Sequence, residues 1–248
     1  MILRYITCSD PREDTPVNDI LELSQFTPNT EIAVQAHPSK MSFNMPRYKW
    51  FTQILKESLY MPTAPNIAVH INMDWCDKFC RGILAPELID MFFLSRYDGT
   101  PVIRRWQINI NGSKTKKFQT DNIAALLTNS PNREFIFQYA APEYHRMHKL
   151  DKTGAKFSVL YDTSGGTGKS TRNWRTPLFE SHPQGYAGGL SPENVVENLN
   201  KIAKVAGNRT DIWIDAEGKL KIPGTKTFDI NRAKQYINAA YRWQQHQK

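Results

Sequence analysis

Short apolar runs alternate with longer amphipathic stretches along the whole chain. The runs at Ile2 to Thr7, Glu31 to Ala36, Asn66 to Asn72, Val102 to Ile110, Glu134 to Tyr139, Phe157 to Tyr161, Gly185 to Ala187 and Asp211 to Ile214 predict eight strands. Between them, apolar residues recur at helical spacing over Val17 to Phe26, Arg47 to Tyr60, Trp75 to Arg96, Asp121 to Thr128, Pro142 to Lys149, Ser191 to Ala206 and Asp229 to Gln245. Only the connection after the sixth run lacks a helical pattern. Strands that alternate with helices pair in parallel, because each helix carries the chain back across the sheet. The alternation by itself also fits an open doubly wound sheet. Eight such runs in 248 residues favour the α/β class as a single (β/α)8 barrel of the TIM type with a parallel eight-stranded core. No linker, low-complexity segment or repeat divides the chain, so residues 1–248 are expected to form one domain.

Composition narrows the class of protein. Apolar residues make up 40% and charged residues 23%, and no stretch approaches the run of about 18 apolar residues that spans a membrane. Met1-Ile-Leu-Arg-Tyr-Ile-Thr has neither a basic leader nor a small-residue cleavage site and is expected to be a first strand. The 3 cysteines cannot build a disulfide framework, so reduced thiols and a cytoplasmic location are expected. The formal charge of +8 favours anionic partners. Apart from Lys114 to Lys117 and Arg104-Arg105 the basic residues are scattered, and no nucleic-acid-binding motif lies beside them, which disfavours nucleic acid as the partner.

Glycine-rich turns supply the candidate chemistry. Phe157-Ser-Val-Leu-Tyr-Asp runs directly into Thr-Ser-Gly-Gly-Thr-Gly-Lys-Ser, an apolar strand that ends in an acid and opens into a loop where backbone N–H groups can converge on an anion. It is not a P-loop: that motif needs glycine at position 163, which is Thr163, and a following helix, where Asn173-Trp174 and Pro177 stand instead. A second turn, Gly185-Tyr-Ala-Gly-Gly-Leu, leads into Ser191-Pro-Glu-Asn, a serine cap followed by proline and an early acid that suits a helix start. Ala206-Gly207-Asn208 ends the same helix with residues that tolerate a left-handed turn. Near the chain's end, Ile212-Trp-Ile-Asp-Ala-Glu-Gly precedes Pro223-Gly-Thr-Lys and a final amphipathic helix. In a barrel, the loops after the seventh and eighth strands are the usual phosphate site.

Asp162-Thr163 with Gly165-Gly-Thr-Gly-Lys-Ser170 and Asn173-Trp174 resembles the sixth loop of phosphoribosylanthranilate isomerases, the sugar-phosphate isomerases of tryptophan biosynthesis. Ala187-Gly-Gly-Leu-Ser-Pro-Glu-Asn-Val resembles their seventh loop. Pro223-Gly-Thr-Lys226, Pro46-Arg47-Tyr48 and Thr7-Cys8 are similar to further parts of that family, in the same order. The resemblance is dense from about residue 157 onward and thin between residues 72 and 150. It implies an Amadori rearrangement of a phosphorylated aminoaldose to an aminoketose, without cofactor or metal. Carried over by position, Cys8 is the general base and Asp162 the general acid, and Arg47 holds the aromatic carboxylate. Asn109 contacts substrate, and Gly166, Thr167, Gly168, Gly188, Gly189 and Gly218 bind the phosphate. A free thiol near about 8.5 is mostly protonated at neutral pH, so Cys8 needs a lowered pKa, whereas Asp162 needs a raised one.

Three positions depart from the family pattern. Ser9 follows the cysteine in place of glycine, Asn109 or Asn111 stands where strand four carries histidine, and Ala216-Glu217 replaces two small hydroxyl residues in the eighth loop. A carboxylate about 6 Å from a phosphate dianion costs roughly 5 kcal/mol at an effective dielectric near 20, so Glu217 must point elsewhere or be compensated by Lys219 or Lys226. Cys76 and Cys80, four residues apart on a helical pattern, fit packing better than metal binding, and His37 and His70 near strand ends fit either structure or the mouth of a barrel.

Overall fold

A computed structural model describes residues 1–110, 117–139, 143–162 and 173–247. Eight strands, β1 (Leu3–Ser9), β2 (Thr30–Ala36), β3 (Asn66–Ile71), β4 (Ile103–Ile108), β5 (Glu134–Tyr139), β6 (Ser158–Asp162), β7 (Gln184–Ala187) and β8 (Ile212–Ala216), close into a parallel barrel in chain order. The described helices between them are α1 (Val17–Ser24), α2 (Pro38–Met41), α3 (Pro46–Ser58), α4 (Met73–Phe79), α5 (Pro86–Phe93), α6 (Thr120–Thr128), α7 (Tyr144–Asp151), α8 (Val195–Ala206) and α9 (Ile230–Gln245). Among the described residues no helix is long and apolar enough to cross a membrane.

Two expected helices differ from the pattern, each for a local reason. The stretch Trp75 to Arg96 is broken into α4 and α5, because Gly82 turns at φ +77° and Pro86 starts a new helix at its first turn. The helix expected from Ser191 begins at Val195. Ser191 to Asn194 instead form a turn in which Ser191 N–H donates to Asn194 Oδ1 at 2.8 Å and Asn194 N–H donates to the Ser191 carbonyl at 3.2 Å. Gly207 ends α8 at φ +63° as expected, and the Asp229 carboxylate caps α9 by accepting from Asn231 and Arg232 N–H.

The described parts of Met1–Ala33 and Leu160–Lys248 form one compact unit, and those of Val34–Val159 another. In the first unit, strand register sorts side chains onto two faces, since paired residues of parallel strands point the same way. Thr7 pairs with both Glu31 and Asp215, and Cys8 pairs with Ile32 and Ala216. Tyr186, paired with Ile214, meets the Trp174 ring at 5.7 Å, and Trp174 Nε1 donates to Asn198 of α8 at 3.1 Å. The face of Tyr186, Ile214, Ala216 and Cys8 is therefore the helix-covered one. Thr7, Ser9, Glu31, Trp213 and Asp215 occupy the other.

The second unit is sorted in the same way. Trp106 packs on Phe92 of α5 at 5.2 Å, while its neighbours Arg105 and Gln107 face away from the helices. There the buried Arg105 guanidinium pairs with Glu134 at 3.3 Å, and Ser158 Oγ donates to the same carboxylate at 2.7 Å.

Just before β8, Arg209 donates to the carbonyls of Phe179, Glu180 and His182 and to both carboxylate oxygens of Asp211. It ties the segment before β7 to the start of β8. We expect Arg209→Ala to lose about 1–3 kcal/mol in urea unfolding with activity per folded molecule unchanged, because this end of a parallel barrel serves stability.

Candidate active site

The site grows from β1 and β8. Asp215 lies on the face turned away from the helices, 7% exposed, and Ser9 Oγ donates to its Oδ1 at 2.5 Å. Burial disfavours its charge, and the negative Glu217, Glu31 and Asp162 add to that, outweighing the Ser9 hydrogen bond. The Asp215 carboxyl is pushed up to about 8 and carries a proton at neutral pH. On the same face Glu31, fully buried, accepts from Thr7 Oγ1 at 2.7 Å. Asp162, the last residue of β6, is also buried, and its charge is one of those that hold the Asp215 proton in place. A carboxyl kept protonated at a strand end is a candidate general acid.

The thiol expected as general base sits elsewhere. Cys8 is fully buried on the helix-covered face, and its thiol is raised well above the usual range by burial and then by the charges of Asp215 and Glu31. The Tyr236 hydroxyl of α9 is likewise raised, by burial and by Cys8 and Asp215. A base needs a thiolate and access to substrate, and this cysteine has neither. Alternation explains it: Ile6 and Cys8 share one face of β1 and turn to the helices, while Thr7 and Ser9 turn the other way.

Beyond β1 the chain turns at Asp10, which has φ +62° although it is not glycine, and whose carboxylate is buried. Asp10 Oδ2 accepts from Arg12 Nε at 3.0 Å, Arg12 Nη2 at 2.7 Å and Lys221 Nζ at 2.8 Å. Glu217 lies 3.6 Å from the same Lys221, so the compensating cation is Lys221 rather than Lys219 or Lys226. Burial and the neighbouring Asp10 push the Glu217 carboxyl up, against Lys221 and Arg12. These four side chains neutralise one another and join the turn after β1 to the segment after β8.

Of the expected phosphate residues, Gly166, Thr167 and Gly168 lie outside the described residues, as does Asn111. Gly188 and Gly189 turn at φ +130° and +67°, and Asn194 Nδ2 donates to the Gly189 carbonyl at 2.9 Å, a compact link from β7 towards α8. Gly218 opens a short 3-10 turn, Gly218–Leu220, with open space where a side chain would be. In the second unit, Arg47 is buried at the second position of α3. Asn109 follows β4, with its N–H on the Ile71 carbonyl at 3.0 Å.

Cys76 and Cys80 are buried along α4 and its cap, where a hydrogen bond donated to Cys76 and burial hold the Cys80 thiol protonated. Among the described residues no group of three or more His, Cys, Asp or Glu side chains is placed to hold a metal ion. Sequence reasoning passed over Asp215, Glu31 and Asp10, and met Ser9 only as a departure from the family pattern. Asp215 carried the same signal as Asp162, an apolar strand ending in an acid. Compared with known proteins, the chain matches no family model and no curated sequence at a significant level.

Proposed function

We propose that the chain is an acid–base isomerase of a phosphorylated aminosugar, of the phosphoribosylanthranilate isomerase type, with Asp215 and Asp162 as its proton-transfer pair. The observation that carries this reading is the buried Asp215 carboxyl near the end of β8, which accepts from Ser9 Oγ and is pushed up to about 8 by burial and by the charges of Glu217, Glu31 and Asp162. The protonated Asp215 donates to the ring oxygen of the aminoaldose, and the C1–O bond breaks to an iminium. The Asp162 carboxylate removes the proton from carbon two, giving the enolamine that tautomerises to the aminoketose. Atoms and electrons balance with two proton transfers. Cys8 takes no part. Gly166, Thr167, Gly168, Gly188, Gly189 and Gly218 are the phosphate contacts in this proposal.

A second reading is a diverged barrel that binds a sugar or other anion without isomerising it. The helix-facing Cys8 and the Glu217 carboxylate near Lys221 favour it. Turnover of phosphoribosylanthranilate, followed as loss of anthranilate fluorescence, separates the two. We expect Asp162→Asn and Asp215→Asn each to lower kcat by about 100-fold to 10,000-fold, and Cys8→Ala to retain most of it. Absence of turnover by folded wild type leaves the diverged barrel. Loss of turnover in Cys8→Ala alone restores the thiol as base.

A further inference from the structure

The carboxyl ends of β2, β3 and β4 carry a continuous row of neutral polar side chains, all within the second unit. Gln107 Nε2 donates to Asn109 Oδ1 at 2.8 Å, Asn109 Nδ2 donates to Asn72 Oδ1 at 2.8 Å, and Asn72 Nδ2 donates to Gln35 Oε1. The second N–H of Asn72 goes to the His70 carbonyl at 2.9 Å, and the second N–H of Gln107 meets His70 Nδ1 at 3.3 Å. An amide nitrogen only donates, so His70 Nδ1 is the acceptor in that contact. The row runs head to tail in one direction. His70 and Gln107 are buried, and Gln35, Asn72 and Asn109 are half-buried at the strand ends, where parallel barrels bind their ligands. Directly after Asn72 stands Met73, 64% exposed and at φ +54°, a left-handed backbone that a non-glycine residue holds only against strain.

We propose that this amide row is a binding subsite for the vicinal hydroxyl groups of a neutral sugar ring. Gln107 and Asn72 have committed both N–H groups within the row, while Asn109 Oδ1 and Asn72 Oδ1 each accept one bond and keep a second lone pair. What the row offers a ligand is therefore mainly acceptors, with the remaining N–H of Asn109 as a donor. Phosphate and carboxylate oxygens, which only accept, are poorly matched to it. A hydroxyl gives its proton to an amide oxygen and accepts from Asn109, and a vicinal pair spans neighbouring amides. An ammonium group also donates, but no carboxylate belongs to the row and the chain carries a charge of +8. The proposal stands apart from the isomerase reading, since it requires neither phosphate nor proton transfer.

The test is equilibrium binding of methyl β-D-ribofuranoside to the full chain by saturation-transfer NMR, with sodium benzoate and ethylammonium chloride as the anionic and cationic probes. Saturable binding of the riboside is expected, weakened about tenfold or more by Asn109→Leu and by Asn109→Asp, which keeps the shape but loses the donors. Circular dichroism confirms that both variants are folded. No saturable binding, binding indifferent to both folded variants, or preference for either ionic probe overturns the proposal. Failed turnover of phosphoribosylanthranilate with intact riboside binding removes the isomerase reading and leaves this one.

Discussion

Gly185→Ala is expected to destabilise the protein by about 3 kcal/mol or more. A Cβ at this position would lie 2.2 Å from Trp213 Cε2, 2.4 Å from Cζ2 and 2.6 Å from Nε1. Carbon atoms in contact sit at about 3.5–4.0 Å, so either the ring or the strand must move. The ring is 1% exposed and pairs across β7 and β8 on the face away from the helices, where close packing leaves it no easy alternative. Gly185 is needed for the space over it, because its backbone is not in the left-handed region. The companion variant separates these causes. Trp213→Leu alone costs roughly 2–4 kcal/mol through the cavity it leaves, and the double variant should cost clearly less than the sum of the two. Urea unfolding of the three variants measures this. Strict additivity would show that the indole does not occupy the space over Gly185.

Asp215 should govern how stability depends on pH. Its folded-state pKa of about 8 stands above the ordinary value of 3.8, so the native state holds a proton that the unfolded chain has released. The neutral carboxyl therefore contributes stability that is fully present below about 3.8 and is lost as pH rises through about 8. One such group sets a limiting slope of about 1.4 kcal/mol per pH unit, and the whole window amounts to on the order of 5 kcal/mol. Glu217, also raised, adds to the same trend. Asp215→Asn keeps an oxygen that accepts from Ser9 and cannot ionise, so its stability relative to wild type should climb steadily between pH 4 and 8. Unfolding free energies from denaturant titrations across that range test the trend; a constant difference would mean that Asp215 ionises like an exposed carboxylate. If Asp215 is also the proton donor in turnover, kcat/KM should fall as pH rises above about 8.

Much of the barrel is legible in short-range pattern. The strand expected at Glu134 to Tyr139 has those bounds in the structure, and the other seven lie within two residues at each end, because an apolar run of that length between turn residues has few other ways to bury itself. The break between α4 and α5 was also written locally, in Gly82 and Pro86, but apolar spacing continues across both and hides it. The orientation of Cys8 was visible too. Ile6 and Cys8 alternate with Tyr5, Thr7 and Ser9, and a strand puts alternate residues on opposite faces, so Cys8 shares the side of Ile6. The resemblance put the cysteine at the end of the first strand and did not address which side of the strand it takes.

By itself, then, the sequence determined the order of strands and helices, their parallel pairing and the acid at the end of β6, since each depends on residues within one element or on the repeat of one element after another, whereas closure of the sheet into a barrel came from the tertiary structure. Tertiary structure alone decided the protonation of Asp215. Its Ser9 partner lies far away in the chain, at the end of β1, and the charges that raise it come from Glu31, Asp162 and Glu217. The same holds for Lys221, which reaches back to Asp10, and for the amide row that joins Gln35, Asn72, Gln107 and Asn109. A pKa depends on the charge and water surrounding a group in three dimensions, and hydrophobic periodicity carries no record of which strand ends a closed barrel brings side by side.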